Sequence, residues 1–178
     1  MTTQVVSVTA MTLESGDVAA MFRKAVRATS AKLNQSVEDT VPEARDGACE
    51  VCDSIRYGVA REVAEYVGSV DSSVKAVYLY EPEYATTGEE GVAQRPNLSP
   101  GINMLVWADR KSPALSAVLR ALGEAIAVEG SSLACPKANA LCWMLDAHVV
   151  DEQQVEGRRG YGALLNSVYV RPIELWRR

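Results

Sequence analysis

The sequence lacks several features that would identify a protein class at once. It has no run of about 18 apolar residues, which a transmembrane helix requires, so we expect no membrane span. Its first six residues contain no basic segment and no long apolar segment, so we expect no secretory signal. A cytoplasmic location follows by default. The four cysteines are then expected to be reduced.

An excess of positive charge is missing as well. The 18 Lys and Arg residues are outnumbered by 23 Asp and Glu residues, and the formal net charge is -5. Nucleic acids and anionic membranes bind clustered basic side chains, so we expect neither as a partner. The C-terminal region is locally basic, which we interpret as ordinary solvated charge. Its basic residues include Arg158, Arg159, Arg171, Arg177 and Arg178.

The 178 residues are enough for one domain with a sizeable core. Apolar residues recur at helical spacing over residues 15–34 and 48–67, which predicts two N-terminal helices in a helical part, residues 1–68. Between them, residues 37–47 are acidic and contain Pro42 and Gly47, so we predict a loop there.

Strands and helices alternate in the second part, residues 69–178. We predict strands over residues 74–80, 102–108 and 140–150, the last strongest from 145 onward. A helix is expected after Ser112, with Pro113 as its first residue and Gly130 at its end. A last helix is expected over residues 153–167 and an extended tail over 169–176. This order predicts an α+β (α/β) domain with a sheet covered by helices.

The strand-loop-strand-helix-strand run over residues 74–150 resembles the nucleotidyltransferase fold of the polymerase-β superfamily, especially its minimal members. The strand before Glu81 is similar to the one that precedes the family's Gly-Ser turn. Residues 84–90 look like the segment just after that turn. Residues 102–106 look like the strand of the Asp-x-Asp motif, and residues 145–150 look like the strand of the third aspartate.

The resemblance implies a mixed sheet and a site for Mg²⁺ and a nucleoside triphosphate, but the functional positions differ. Pro82-Glu83 replaces Gly-Ser, and Gly101-Ile102-Asn103 replaces Asp-x-Asp, so that only Asp146 retains its carboxylate. One carboxylate and one amide bind Mg²⁺ weakly. We therefore predict a nucleotidyltransferase-like protein that has lost ordinary nucleotidyl transfer and acts as a binding or assembly module.

The residues that a remaining site would use follow from the same positions. Asp146 is the remnant catalytic residue, and Asp146 with Asn103 would hold any Mg²⁺. Glu83, Asn103, Asp146 and His148 are the candidates for binding a nucleotide. Asp146 and His148 occupy positions i and i+2 of a strand, so they share one face. No cofactor other than Mg²⁺ is implied.

Two alternatives remain open. An active enzyme would need relocated carboxylates from Glu81, Glu83, Glu89 or Glu90. An unrelated α/β module would instead use a metal or thiol site built from cysteines, which are Cys49, Cys52, Cys135 and Cys142.

We also expect a homo-oligomer, with a homodimer formed through the amphipathic N-terminal helices. The apolar tail around Trp176 is expected to dock on its own domain or on a second subunit.

Overall fold

Helices and strands combine in one α+β arrangement, as predicted. The computed structural model describes residues 15–46, 49–80, 101–133, 143–167 and 172–178. The helices are α1 (Ser15–Leu33), α2 (Val37–Asp46), α3 (Cys49–Val70), α4 (Pro113–Leu133) and α5 (Glu152–Glu156), followed by a 3-10 helix (Gly160–Asn166). The strands are β1 (Val74–Leu79), β2 (Ile102–Ala108), β3 (Leu145–Val150) and β4 (Ile173–Arg177).

The four strands form one mixed sheet in the order β3-β2-β1-β4. The central strand β1 is antiparallel to both β2 and β4, whereas β2 and β3 are parallel. Parallel neighbours need a crossover connection, and α4 lies in the connection between β2 and β3. Ser112 caps α4, because its Oγ accepts a hydrogen bond from the Leu115 N–H at 3.0 Å.

The two faces of the sheet are covered unequally. Alternate residues of a strand point to opposite faces. Ile102, Met104 and Val106 face the main core, which contains the apolar sides of α1, α3 and α4. Leu105 faces a smaller cluster on the other side, where residues of α5 and the 3-10 helix pack. The second face is therefore the one that carries Asn103, Asp146 and His148.

The predicted loop at residues 37–47 is wrong, because residues 37–46 form α2. Among the described residues, three helices rather than two therefore precede the sheet. Ser36 begins α2 as its cap, since its Oγ accepts from the Asp39 N–H at 3.1 Å. Thr40 anchors the helix, since it is buried and accepts a hydrogen bond from Ser30 Oγ at 2.9 Å. Pro42 lies inside the helix, where this cap and anchor outweigh its breaking tendency.

The predicted continuous helix over residues 153–167 is also wrong. Asp151 and Gln154 form a capping box that starts α5, but α5 ends at Glu156. Arg158 and Gly160 then adopt left-handed backbone angles, with φ of 50° and 52°. Left-handed residues interrupt a right-handed helix, so the chain turns and resumes as the 3-10 helix.

The C-terminal segment docks on its own domain, which confirms one of the two expectations for Trp176. β4 pairs with β1, and Trp176 packs against Gly68 near the end of α3. Arg178 donates hydrogen bonds to the carbonyl oxygens of Gly68 and Ser72 at 2.9 and 2.8 Å. These contacts satisfy carbonyl groups at a helix end, which lack partners within the helix.

No helix in the described part of the chain combines the length and apolarity needed to cross a bilayer. The predicted loop at residues 81–100 lies outside the described residues, as do residues 140–142 of the predicted third strand and residues 169–171 of the predicted tail.

The contact between Gly68 and Trp176 predicts the effect of adding one methyl group. A Cβ at residue 68 would overlap the indole ring, so Gly68→Ala must displace Trp176. We expect the free energy of unfolding to fall by about 1–3 kcal/mol, as for other overpacked sites. Urea unfolding measures the change. Gly16→Ala is the matched control, because nothing lies within 4 Å of a Cβ there. Equal stability of the two variants would contradict the docked position of Trp176.

Candidate functional site

A groove of about 560 Å³ runs along β3, at the edge of the sheet. The first half of α4 forms one wall, with Leu119 and Arg120. Gln154 and Tyr161 form the opposite wall. All six residues of β3 lie along the floor, because an edge strand presents both of its faces and its outer side.

Asn103 and Asp146 are direct neighbours across the parallel pair β2 and β3. They therefore lie side by side on the second face of the sheet. Asn103 is only 4% exposed, and its side-chain amide donates to the Gly101 carbonyl at 3.3 Å. Asp146 lines the groove, whereas Asn103 does not. The two candidate metal-binding residues are thus adjacent, but only the carboxylate is accessible from the groove.

Asp146 and His148 form a pair on β3. His148 Nε2 lies 3.0 Å from Asp146 Oδ1, so the predicted shared face is confirmed. The two atoms are poorly aligned for a hydrogen bond, and the contact becomes an ion pair when His148 is protonated. The Asp146 side chain is 43% exposed and the His148 side chain is 27% exposed. Solvent screening makes such a half-exposed pair weak.

One aromatic ring covers His148, and a second ring lies beside the first. Its imidazole stacks on the Tyr161 ring with the centroids 3.5 Å apart and the planes 13° from parallel. Tyr80 lies behind Tyr161, with ring centroids 6.5 Å apart. Burial raises the pKa of the Tyr80 hydroxyl, and the nearby Asp146 carboxylate raises it further. The hydroxyl therefore stays protonated in this cluster at neutral pH.

The groove contains residues that the sequence did not single out. Tyr161 lies in the glycine-rich segment at residues 156–162. Lys111 and Arg120 place two exposed cations beside the groove. The sequence signal that points to this side of the sheet is His148, the lone histidine, on a strand face.

Several of the other predicted site residues lie outside the part of the chain that the structure describes. Glu83, together with Glu81, Glu89 and Glu90, lies outside the described residues. Cys135 and Cys142 also lie outside them, whereas Cys52 donates its thiol to the Ala44 carbonyl at 3.4 Å. Within residues that the structure describes, no three His, Cys, Asp or Glu side chains come together as a metal site.

Family models, curated proteins and solved structures were compared with the chain, and none of them matches it.

The stacking of His148 on Tyr161 predicts a displaced NMR signal. His148 is the only histidine, so its ring protons give one isolated set of resonances. We expect the ring current of Tyr161 to shift them upfield, because the rings are parallel and in contact. Tyr161→Leu should move them back toward the values of an exposed histidine. Tyr57→Leu, at an exposed position on α3, is the control and should leave them in place. Unchanged shifts in the Tyr161 variant would rule out the stack.

The buried Tyr80 predicts a loss of stability at high pH. Its folded pKa lies above the ordinary value of 10.0. The contribution to stability is therefore fully present below about pH 10 and is lost as the pH rises through the folded pKa. Tyr80→Phe should reduce the fall in the free energy of unfolding between about pH 10 and 11. Denaturant unfolding at several pH values measures it, with Tyr57→Phe as a control for removing a hydroxyl. A fall as steep as in the wild type would show that Tyr80 is not the group responsible.

Proposed function

We propose that this chain is a nucleotidyltransferase-fold protein that has lost ordinary nucleotidyl transfer and acts as a binding or assembly module. The observation that carries the proposal is the pairing of Asn103 with Asp146 in the parallel ladder of β2 and β3. The family resemblance implies that carboxylates from two neighbouring strands meet at this point. Here an amide and one carboxylate meet there instead.

The order of the strands supports the fold. The resemblance requires that residues 74–80, 102–108 and 145–150 belong to adjacent strands. β1, β2 and β3 are adjacent, and they form a mixed sheet in which only the β2–β3 pair is parallel. Separate sheets or another strand order would be inconsistent with this resemblance.

The chemistry of the side chains supports the loss of transfer. Two Mg²⁺ ions around a triphosphate require several oxygen ligands with negative charge. Gly101 contributes no side chain, and Asn103 contributes a neutral amide that is buried beside Gly101. Asp146 has its one negative charge beside His148, which competes with a metal ion when it is protonated. This donor set favours weak binding of a nucleotide, or none, over catalysis.

The proposal includes a homo-oligomeric state and a cytoplasmic location. The proposed assembly requires neither bound Mg²⁺ nor nucleic acid. In this function, the sheet and its groove would serve as a rigid surface for a partner. An active enzyme with carboxylates from residues 81–90 remains the contrasting case, and a binding experiment separates the two.

We expect no metal-dependent nucleotide binding that requires Asp146. Isothermal titration calorimetry with ATP, CTP, GTP and UTP, each with Mg²⁺ or Mn²⁺, measures it on the wild type and on Asp146→Ala. Glu38→Ala removes the same charge from an exposed position on α2 and is the matched control. One result would overturn the proposed loss of nucleotidyl transfer. In it, a nucleotide binds the wild type and the Glu38 variant only in the presence of metal and does not bind the Asp146 variant.

A further inference from the structure

The outer edge of β3 carries backbone groups that β2 does not use. The Ile102 N–H donates to the Met144 carbonyl at 2.7 Å. Residues of a parallel strand alternate in the side to which their backbone groups point. In this register the even-numbered residues of β3 bond to β2, and Leu145, Ala147 and Val149 direct their N–H and C=O groups outward. Among the described residues, no strand lies beyond β3.

The two edges of the sheet differ in how well they are protected from pairing. β4 has five residues, carries Glu174 and Arg177, and has an irregular register with β1. Short strands, charges and irregularities discourage edge-to-edge pairing. β3 has six residues, contains no proline, carries one carboxylate (Asp146), and pairs with β2 without a register shift. The edge of β3 is therefore the one suited to accept another strand.

We propose that β3 pairs antiparallel with β3 of a second copy of this chain, across a twofold axis at Ala147. In this register Leu145 lies opposite Val149 of the second copy, and Ala147 lies opposite its own equivalent. These outward residues exchange their backbone hydrogen bonds in pairs. The two sheets then become one continuous sheet, and the same strand serves both sides of the interface, as twofold symmetry requires.

The pairing of a carboxylate with an imidazole, which becomes an ion pair when His148 is protonated, favours this register and this occupant. With the axis at Ala147, each Asp146 lies opposite the His148 of the second copy, on the face where the two side chains already lie together. Opposite charges across neighbouring strands stabilise a pair, and like charges destabilise it. Sliding the strands to the next allowed registers would place Asp146 opposite Asp146, or His148 opposite His148. A second copy thus fits the edge in one register better than in its neighbours.

The groove provides the space for the added strand. It lies between α4 on one side and Tyr161 on the other, and its floor is β3 itself. Leu145, Ala147 and Val149 are half-buried in the single chain. A second strand would cover them and satisfy their outward backbone groups, which is the mode of recognition known as strand addition. This interface lies on the sheet, away from the N-terminal helices that the sequence suggested.

Sedimentation equilibrium of the full chain tests the proposal with a proline variant. We expect the wild type to be a dimer and Ala147→Pro to be a monomer. The Ala147 N–H points outward, so proline at this position in both copies removes the two hydrogen bonds of the central pair and none of the β2–β3 ladder. Circular dichroism checks that the variant is folded. A monomeric wild type, or a folded proline variant that remains a dimer, would overturn the proposal.

A charge exchange tests the register and does not depend on proline. Asp146→Lys removes the carboxylate that lies opposite His148 and puts a cation in its place, so it should weaken the dimer. The double variant Asp146→Lys, His148→Asp restores opposite charges across the axis and should restore the dimer. A double variant that remains as weakly dimeric as the single variant would exclude this register.

A substitution on the helical part controls for the other route to a dimer. Tyr57→Glu lies on the exposed side of α3. In sedimentation equilibrium this variant should still have the molar mass of a dimer. Loss of the dimer in that variant would assign the interface to the helices and overturn the proposal. Strand pairing at this edge does not depend on a nucleotide, so this result and the calorimetric result can fail independently.

Discussion

The parallel pairing of β2 with β3 is the constraint on which the rest of the structure depends. It brings residues more than 40 positions apart into direct register, with Asn103 beside Asp146. A parallel pair requires a crossover, and α4 supplies it while covering the main core. The same pairing determines which backbone groups of β3 are used and which remain at the edge. The candidate site and the proposed interface are therefore consequences of one ladder.

The unequal covering of the sheet explains why the polar candidate-site residues lie on one face. α1, α3 and α4 fill the first face with apolar side chains, so polar residues there would lack partners. The second face is covered by α5 and a 3-10 helix, which are short. This thin cover leaves Asp146 and His148 half-exposed while still burying Tyr80. Tyr161 closes this side by stacking on His148.

The proposed loss of nucleotidyl transfer and the proposed use of the β3 edge for assembly are compatible. A cluster of carboxylates on neighbouring strands repels itself and requires metal ions to relieve the repulsion. An amide at Asn103 and a His148 beside Asp146 remove that requirement. The groove is lined by one carboxylate, Asp146, and by two exposed cations, Lys111 and Arg120. Fold alone does not decide between these roles, because function depends on the residues placed on it.

The sequence by itself determined the periodic elements and the division of the sheet into two faces. The strand over residues 102–108 and the start of α4 at Pro113 were predicted correctly, because alternation and a Ser-Pro start are local signals. Local signals misjudged α2, because the buried hydrogen bond between Ser30 and Thr40 is a contact between two helices. Only the tertiary structure decided that Tyr161 stacks on His148, that Trp176 docks on Gly68, and that β3 forms an edge. These are contacts between distant segments, and a spacing pattern along the chain does not encode them.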